Sequence, residues 1–246
     1  MRCGYASTAP RRQPARTLVN RIASETKMLA TWLMTIRRYT NALTLIDVIR
    51  NERLTLVPPT RWFDQNDALG LEAYSKLRGE GSVYAMCFAL GAEQAHHWQI
   101  FASGNNGVCL VLDYDAFVDH LEKLNSPDLL FRSVEYCNLS QIRSMYPIRH
   151  DLLPFLKRDT FKAEAEYRVV AWEESFFATS TYSLPLPPHI LRRVVFGPNV
   201  PESFAKTLQE IANEKKKWSH VTFAKSRLVN NESWASAIEI GVGKND

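Results

Sequence analysis

The sequence predicts a mixed α/β (α+β) fold in a single domain, with about seven or eight strands and flanking helices. Three observations lead there. Strand-like and helix-like segments are interspersed without the strict alternation of a doubly wound sheet. A chain of 246 residues, 46% hydrophobic and 23% charged, is long enough to bury one sizeable core. Neither GxGxxG nor GxxxxGK occurs, so the glycine-rich loops of the common dinucleotide and nucleotide folds are missing.

TIRRYT (35–40) alternates and reads as a short strand. Thr40 and Asn41 are N-cap candidates for a helix through NALTLIDVIRNE, with Leu43, Ile46, Ile49 and, less regularly, Leu45 near helical spacing. RLTLVPP is a second strand ended by Pro58 and Pro59. RWFDQNDALG is a loop in which Asp64, Asn66 and Asp67 favour turns and caps, and LGLEAYSKLRG is a helix stopping at Gly79. SVYAMCFAL (82–90) and GVCLVLDY are buried strands separated by a helix, AEQAHHWQIFAS, and a turn, GNNG. DAFVDHLEKL is a helix, FRSVEYCN a strand, DLLPFLKRDTFKAEA helical at least in part, and EYRVVAW a strand. HILRRVVFGP follows as a strand, Pro201 and Glu202 start a helix that runs to 217, and HVTFAKSRL is the last strand. The lysines at 215–217 suit the negative end of that helix.

The formal charge of +4 is concentrated at the start of the chain. Residues 1–30 hold Arg2, Arg11, Arg12, Arg16, Arg21 and Lys27 against Glu25 alone, so the remainder carries a net −1. A nearly neutral body lacks the global footprint of a phosphate-backbone binder, which leaves only a local basic patch for that purpose. Residues 1–30 are read as a disordered or non-native leader, with Met28 or Met34 as alternative starts, and 31–246 as the domain. No apolar run approaches the roughly 18 residues that span a membrane. Cys3, Cys87, Cys109 and Cys137 are widely spaced, which favours buried thiols and a reducing, cytoplasmic setting over disulfides or zinc. His96 and His97 are adjacent and should diverge, so no metal ligand pair is assigned.

FKAEAEYRVVAW (161–172) places two carboxylates at the mouth of a strand. On an extended backbone Glu164 and Glu166 would share a face, with Ala163 and Ala165 opposite. Two like charges on one face find cations, face water, or raise the proton affinity of one member. Arg168, Lys162 and Arg158 are the cations at hand for a purely structural ion cluster.

The order Arg38-Tyr39-Thr40, then LTLVPPTRWFDQND, Cys87-Phe88, His97-Trp98, GVCLVLD (107–113) and EAEYR (164–168) resembles a widespread bacterial domain family of unknown function. The resemblance spans about residues 35–235. That family's layout is similar to the ADP-ribosyltransferase fold: Arg or His on a first strand, a helix and second strand, a later strand with Ser-Thr-Ser or a variant, and a last motif strand starting with Glu. The resemblance implies NAD as co-substrate, Glu166 as catalytic carboxylate, Glu164 where arginine-modifying members keep a second Glu, and Arg38 as cationic anchor, with Arg37 as the alternative because only one of the two would face a cleft from an alternating strand. Tyr39, Trp62 and Trp98 are the aromatics that could stack on nicotinamide or adenine, and His97 is a candidate base and cofactor contact. Each also has a structural reading: Arg38 as a salt-bridge residue, Trp62 and Trp98 as core or rim aromatics, and His97 as a half-buried helical side chain. The chain departs from the family at Ala89, where the usual C-F-S has a hydroxyl, and at 65–68, where D-P-F-E becomes Gln65-Asn66-Asp67-Ala68.

From the same resemblance follow a role as toxin or phage-defence effector, an unknown protein or nucleic-acid acceptor, and room for a neutralising partner protein. Two other classes stand beside it. One is a metal-dependent nucleic-acid enzyme using Asp64, Asp67, Glu164 and Glu166 to hold magnesium. The other is a non-catalytic binding module that has lost its chemistry, for which Ala89 is the best argument.

Overall fold

The computed structural model describes residues 35–62, 64–174 and 180–242; the leader read for residues 1–30 lies outside them. Thr35–Asn41 forms β1. Asn41 caps α1 (Ala42–Asn51), its side chain accepting from the Thr44 amide at 3.1 Å. The buried stripe of α1 is Leu45, Val48 and Ile49 while Leu43 is 74% exposed, so the apolar face lies to one side of the one the spacing suggested. β2 (Arg53–Leu56) follows a left-handed Glu52, and α2 (Gln65–Arg78) begins at an Asp64 cap, four residues before the expected helix. Gly79, at φ 116°, ends it. β3 (Gly81–Leu90), α3 (Ala95–Phe101), β4 (Gly107–Asp113) and α4 (Tyr114–Leu124) match the expected elements closely.

Differences gather in the second half. FRSVEYCN is two strands, β5 (Leu129–Ser133) and β6 (Glu135–Cys137), which enter different sheets. A short helix, α5 (Leu139–Ser144), was not expected. The stretch read as helical is two 3-10 turns, His150–Phe155 and Asp159–Glu164, divided by β7 (Leu156–Arg158); Pro154 bars a regular helix in the first. β8 (Glu166–Glu174) is the longest partner of β3. β9 (Tyr182–Pro185) went unread and pairs with β2. After β10 (Leu191–Phe196), α6 (Glu202–Asn213) stops before the lysine run, which continues as a 3-10 turn into the buried Trp218. β11 (Thr222–Lys225) and a second unexpected helix, α7 (Glu232–Val242), complete the described chain.

The central sheet has seven strands in the order β11-β10-β4-β1-β3-β8-β5, with β2-β9 and β6-β7 as separate pairs. One face carries Ile36, Phe88, Leu110, Tyr167, Val169 and Val194 and packs against α1, α4 and α6. The Trp218 indole donates to the Ile49 carbonyl at 3.0 Å and ties the end of α6 to α1. The opposite face is covered in two patches, by α3 over Tyr39, Ala89, Cys109 and Val111, and by α2 with Phe155 over Val83, Ala85 and Val170. Among the described residues no helix is long and apolar enough to cross a membrane.

Candidate functional site

The two patches on that face leave a strip between them, and there the ladder is thinnest. β1 pairs with β4 over seven residues and β3 with β8 over nine, but β1 pairs with β3 only at Ile36↔Leu90 and Arg37↔Ala89. Beyond Arg37 the two strands part. The Arg38 guanidinium bridges the gap, Nη1 donating to the Cys87 carbonyl at 3.0 Å where a ladder bond would otherwise lie. Across the same level the register runs Arg37↔Ala89↔Glu166. Arg37, Ala89 and Glu166 therefore stand side by side on three neighbouring strands.

The seam is lined by Arg37, Arg38, Tyr39, Cys87, Ala89, His97, Glu164 and Glu166. It encloses about 30 Å³, room for little more than a water molecule. α3 roofs it. Tyr39 meets the rings of His97 and Trp98 at 5.0 and 5.1 Å, the second edge-on. His96 and His97 do not diverge: their ring centroids are 4.2 Å apart, turned together in the first turn of a short helix packed on Tyr39. Trp98 is buried with its indole N–H on Glu93, facing a second cavity. Trp62 lies on the far side of Arg168, whose guanidinium sits 5.0 Å over its ring, and takes no part in the seam.

Glu164 and Glu166 converge, though not by strand alternation. Glu164 ends a 3-10 turn, Ala165 is left-handed at φ 44°, and only Glu166 is in the strand. Their common partner is Lys157, which the sequence reading did not single out. Its Nζ lies 2.6 Å from Glu164, 2.9 Å from Glu166 and 3.3 Å from Asp67. Glu166 also accepts from Arg168 Nε at 2.7 Å, and Arg168 reaches both oxygens of Asp67 at 2.9 Å and the Pro154 carbonyl at 2.7 Å. Of the cations expected beside the glutamates only Arg168 serves; Lys162 does not, and Arg158 stands 3.9 Å from Asp64 instead. Asp64 is a cap as expected, whereas Asp67 is a buried member of this cluster. Lys157 could have been found only by seeing that β7 interrupts the expected helix and turns it inward.

Burial alone would raise the Glu166 carboxyl, but Arg168 and Lys157 outweigh it and hold the group down at about 2. Glu164 moves the other way, raised by burial against the pull of Lys157. The pair is thus split, Glu166 firmly ionised and Glu164 the readier proton acceptor. Burial lowers Arg38 from its ordinary value and raises Tyr39. His97, 1% exposed, is lowered to about 4 by burial and then by His96. Because its folded value lies below its unfolded one, stability is lost as pH falls from about 6.5 to 4 while the unfolded chain takes up the proton first. Urea unfolding at pH 7 and pH 4.5 should show the parent losing about 2 kcal/mol more than a His97→Gln variant; equal losses would mean that His97 is already solvated in the fold.

Arg38 Nε, Tyr39 Oη and both ring nitrogens of His97 are buried without a hydrogen bond. The backbone of Gln94 lies near Tyr39 and that of Glu164 near His97, but neither reaches bonding geometry. Unsatisfied buried polar atoms are rare in folded proteins, and the three residues that carry these four line one cleft.

No family model matches the chain, including any for the family whose motif order it resembles, and comparison with curated proteins finds no relative. Among solved structures it is similar to DarT from Thermus sp. 2.9 in complex with carba-NAD+, at 10% identity and a TM-score of 0.40, covering 79% of this chain and 96% of that one. A second DarT structure, in complex with ADP-ribosylated ssDNA, is similar at 8% identity and a TM-score of 0.41 over 79% of this chain and 95% of that one.

Proposed function

We propose that the chain is an NAD-dependent ADP-ribosyltransferase-like enzyme, with Arg38 as anchor and Glu166 as the carboxylate beside the scissile bond. The observation that carries this reading is that Arg38, Tyr39 and His97, each with a buried polar atom lacking a hydrogen bond, line the same seam as Glu166. Breaking the nicotinamide to ribose bond develops positive charge on the ribose carbon. A carboxylate fixed and ionised in advance favours that charge more than it favours the ground state. Glu166 is such a group, locked by Lys157 and Arg168. Glu164, with its raised proton affinity, is suited to take a proton from the incoming acceptor. Ala89 lacks the brace hydroxyl, and the unsatisfied His97 and Tyr39 next to it can supply hydrogen bonds in its place. The role of toxin or phage-defence effector in a bacterial cytoplasm, with a protein or nucleic-acid acceptor and a neutralising partner, rests on the superfamily resemblance alone.

The metal-dependent alternative fares worse. Asp67, Glu164 and Glu166 do come together, but around the ammonium of Lys157, which occupies the centre that a divalent ion would need. Asp64 stands apart from them, beside Arg158.

Thermal unfolding of the full chain with and without NAD tests the proposal, run in parallel on Arg38→Ala. NAD at a hundred times its Kd should add about 2.7 kcal/mol to the parent, and the variant should show little or none of that gain relative to its own ligand-free state. A parent that does not respond to millimolar NAD sinks the reading and leaves the non-catalytic module.

A further inference from the structure

We infer that the larger cavity beside the seam is a phosphate-binding site built from Arg37, Arg192 and Arg193. It encloses about 270 Å³, and its walls include those three arginines with Thr35, Trp98 and Thr222. Consecutive strand residues normally point to opposite faces. Here β10 slips register against β4 between Leu191, opposite Leu112, and Arg193, opposite Val111. That bulge brings Arg192 and Arg193 into the same cavity. Arg192 is steered by Asp113, the cap of α4, and Arg193, an exposed residue, donates its Nε–H to Thr222 Oγ1 at 3.1 Å. Arg37 donates to Thr35 and Gly91 and lines both this cavity and the seam.

The acidic side chain in the wall, Glu93, has one oxygen engaged by the Trp98 indole and the Ser226 hydroxyl. The cavity gathers three guanidiniums in a chain body that is otherwise nearly neutral. Planar forks converging from two strands suit the tetrahedral oxygens of a phosphate ester. Two sources share that chemistry: the pyrophosphate of a dinucleotide reaching over from the seam past Arg37, and a phosphodiester of a nucleic-acid strand. Only the first depends on the NAD reading.

Calorimetric titration of the full chain with inorganic pyrophosphate tests the site, on the parent, on Arg193→Gln, and on Arg192→Gln combined with Arg193→Gln. Residues 1–30 are basic in all of them, so only the differences report on the cavity. The parent should bind, the double variant should bind roughly tenfold or more weakly, and the single variant should lie between. No binding by the parent, or equal binding by the double variant with its fold intact by circular dichroism, overturns the proposal. Displacement of pyrophosphate from the parent by NAD assigns the site to the dinucleotide. Displacement by an oligothymidylate but not by NAD assigns it to a nucleic-acid strand, and would stand even if the NAD reading fell. Displacement by neither means an adventitious ion only and also overturns it.

Discussion

Replacing Arg168 with methionine should destabilise the fold by about 3–5 kcal/mol, read from urea unfolding at neutral pH. Arg168 is fully buried and serves Glu166, Asp67 and the Pro154 carbonyl at once. Methionine fills much of the volume but strips three acceptors of their donor. It also leaves Asp67, Glu164 and Glu166 on the single ammonium of Lys157, and a buried carboxylate without its cation is among the costliest defects a fold can carry. A loss below about 1 kcal/mol would show that water enters the cluster and that its charges are cheaply solvated.

Glu166→Gln should cut NAD-dependent turnover by about a hundredfold or more while the protein stays folded. No cation is left bare by this change. Lys157 keeps Glu164 and Asp67, and Arg168 keeps both oxygens of Asp67. Nicotinamide release with water as acceptor measures the step without knowledge of the natural acceptor. Turnover within threefold of the parent by a folded variant would remove Glu166 from the chemistry and return the carboxylate pair to the status of a structural ion cluster.

The first half of the fold could be read almost element by element, because its signals are local. Asn41 and Asp64 cap helices, Gly79 ends one, and the apolar runs of β3 and β4 are short and bounded by turns. Between 129 and 190 the determinants are long-range. A three-residue strand such as β7 is fixed by its pairing with β6, and β9 by its pairing with β2, neither of which leaves a periodicity to detect. The site followed the same rule. Glu166, Arg38 and His97 were visible as residue types in a suggestive order and Asp67 as an acid grouped with the glutamates, whereas Lys157 and the pairing of Arg192 with Arg193 depend on an interrupted helix and a register slip. Trp62 looked like a ligand-stacking aromatic and instead covers the back of Arg168.

The two-rung junction between β1 and β3 has a mechanical consequence. It divides the central sheet into a block of β11, β10, β4 and β1 and a block of β3, β8 and β5, each internally stitched by long ladders. Prying the blocks apart by a few ångström breaks two rungs and the Arg38 bridge, where the same displacement between β3 and β8 would break nine rungs. Within the central sheet this junction carries the fewest rungs and lies beside the seam, so widening that water-sized slot strains a few backbone bonds and leaves the long ladders inside each block intact.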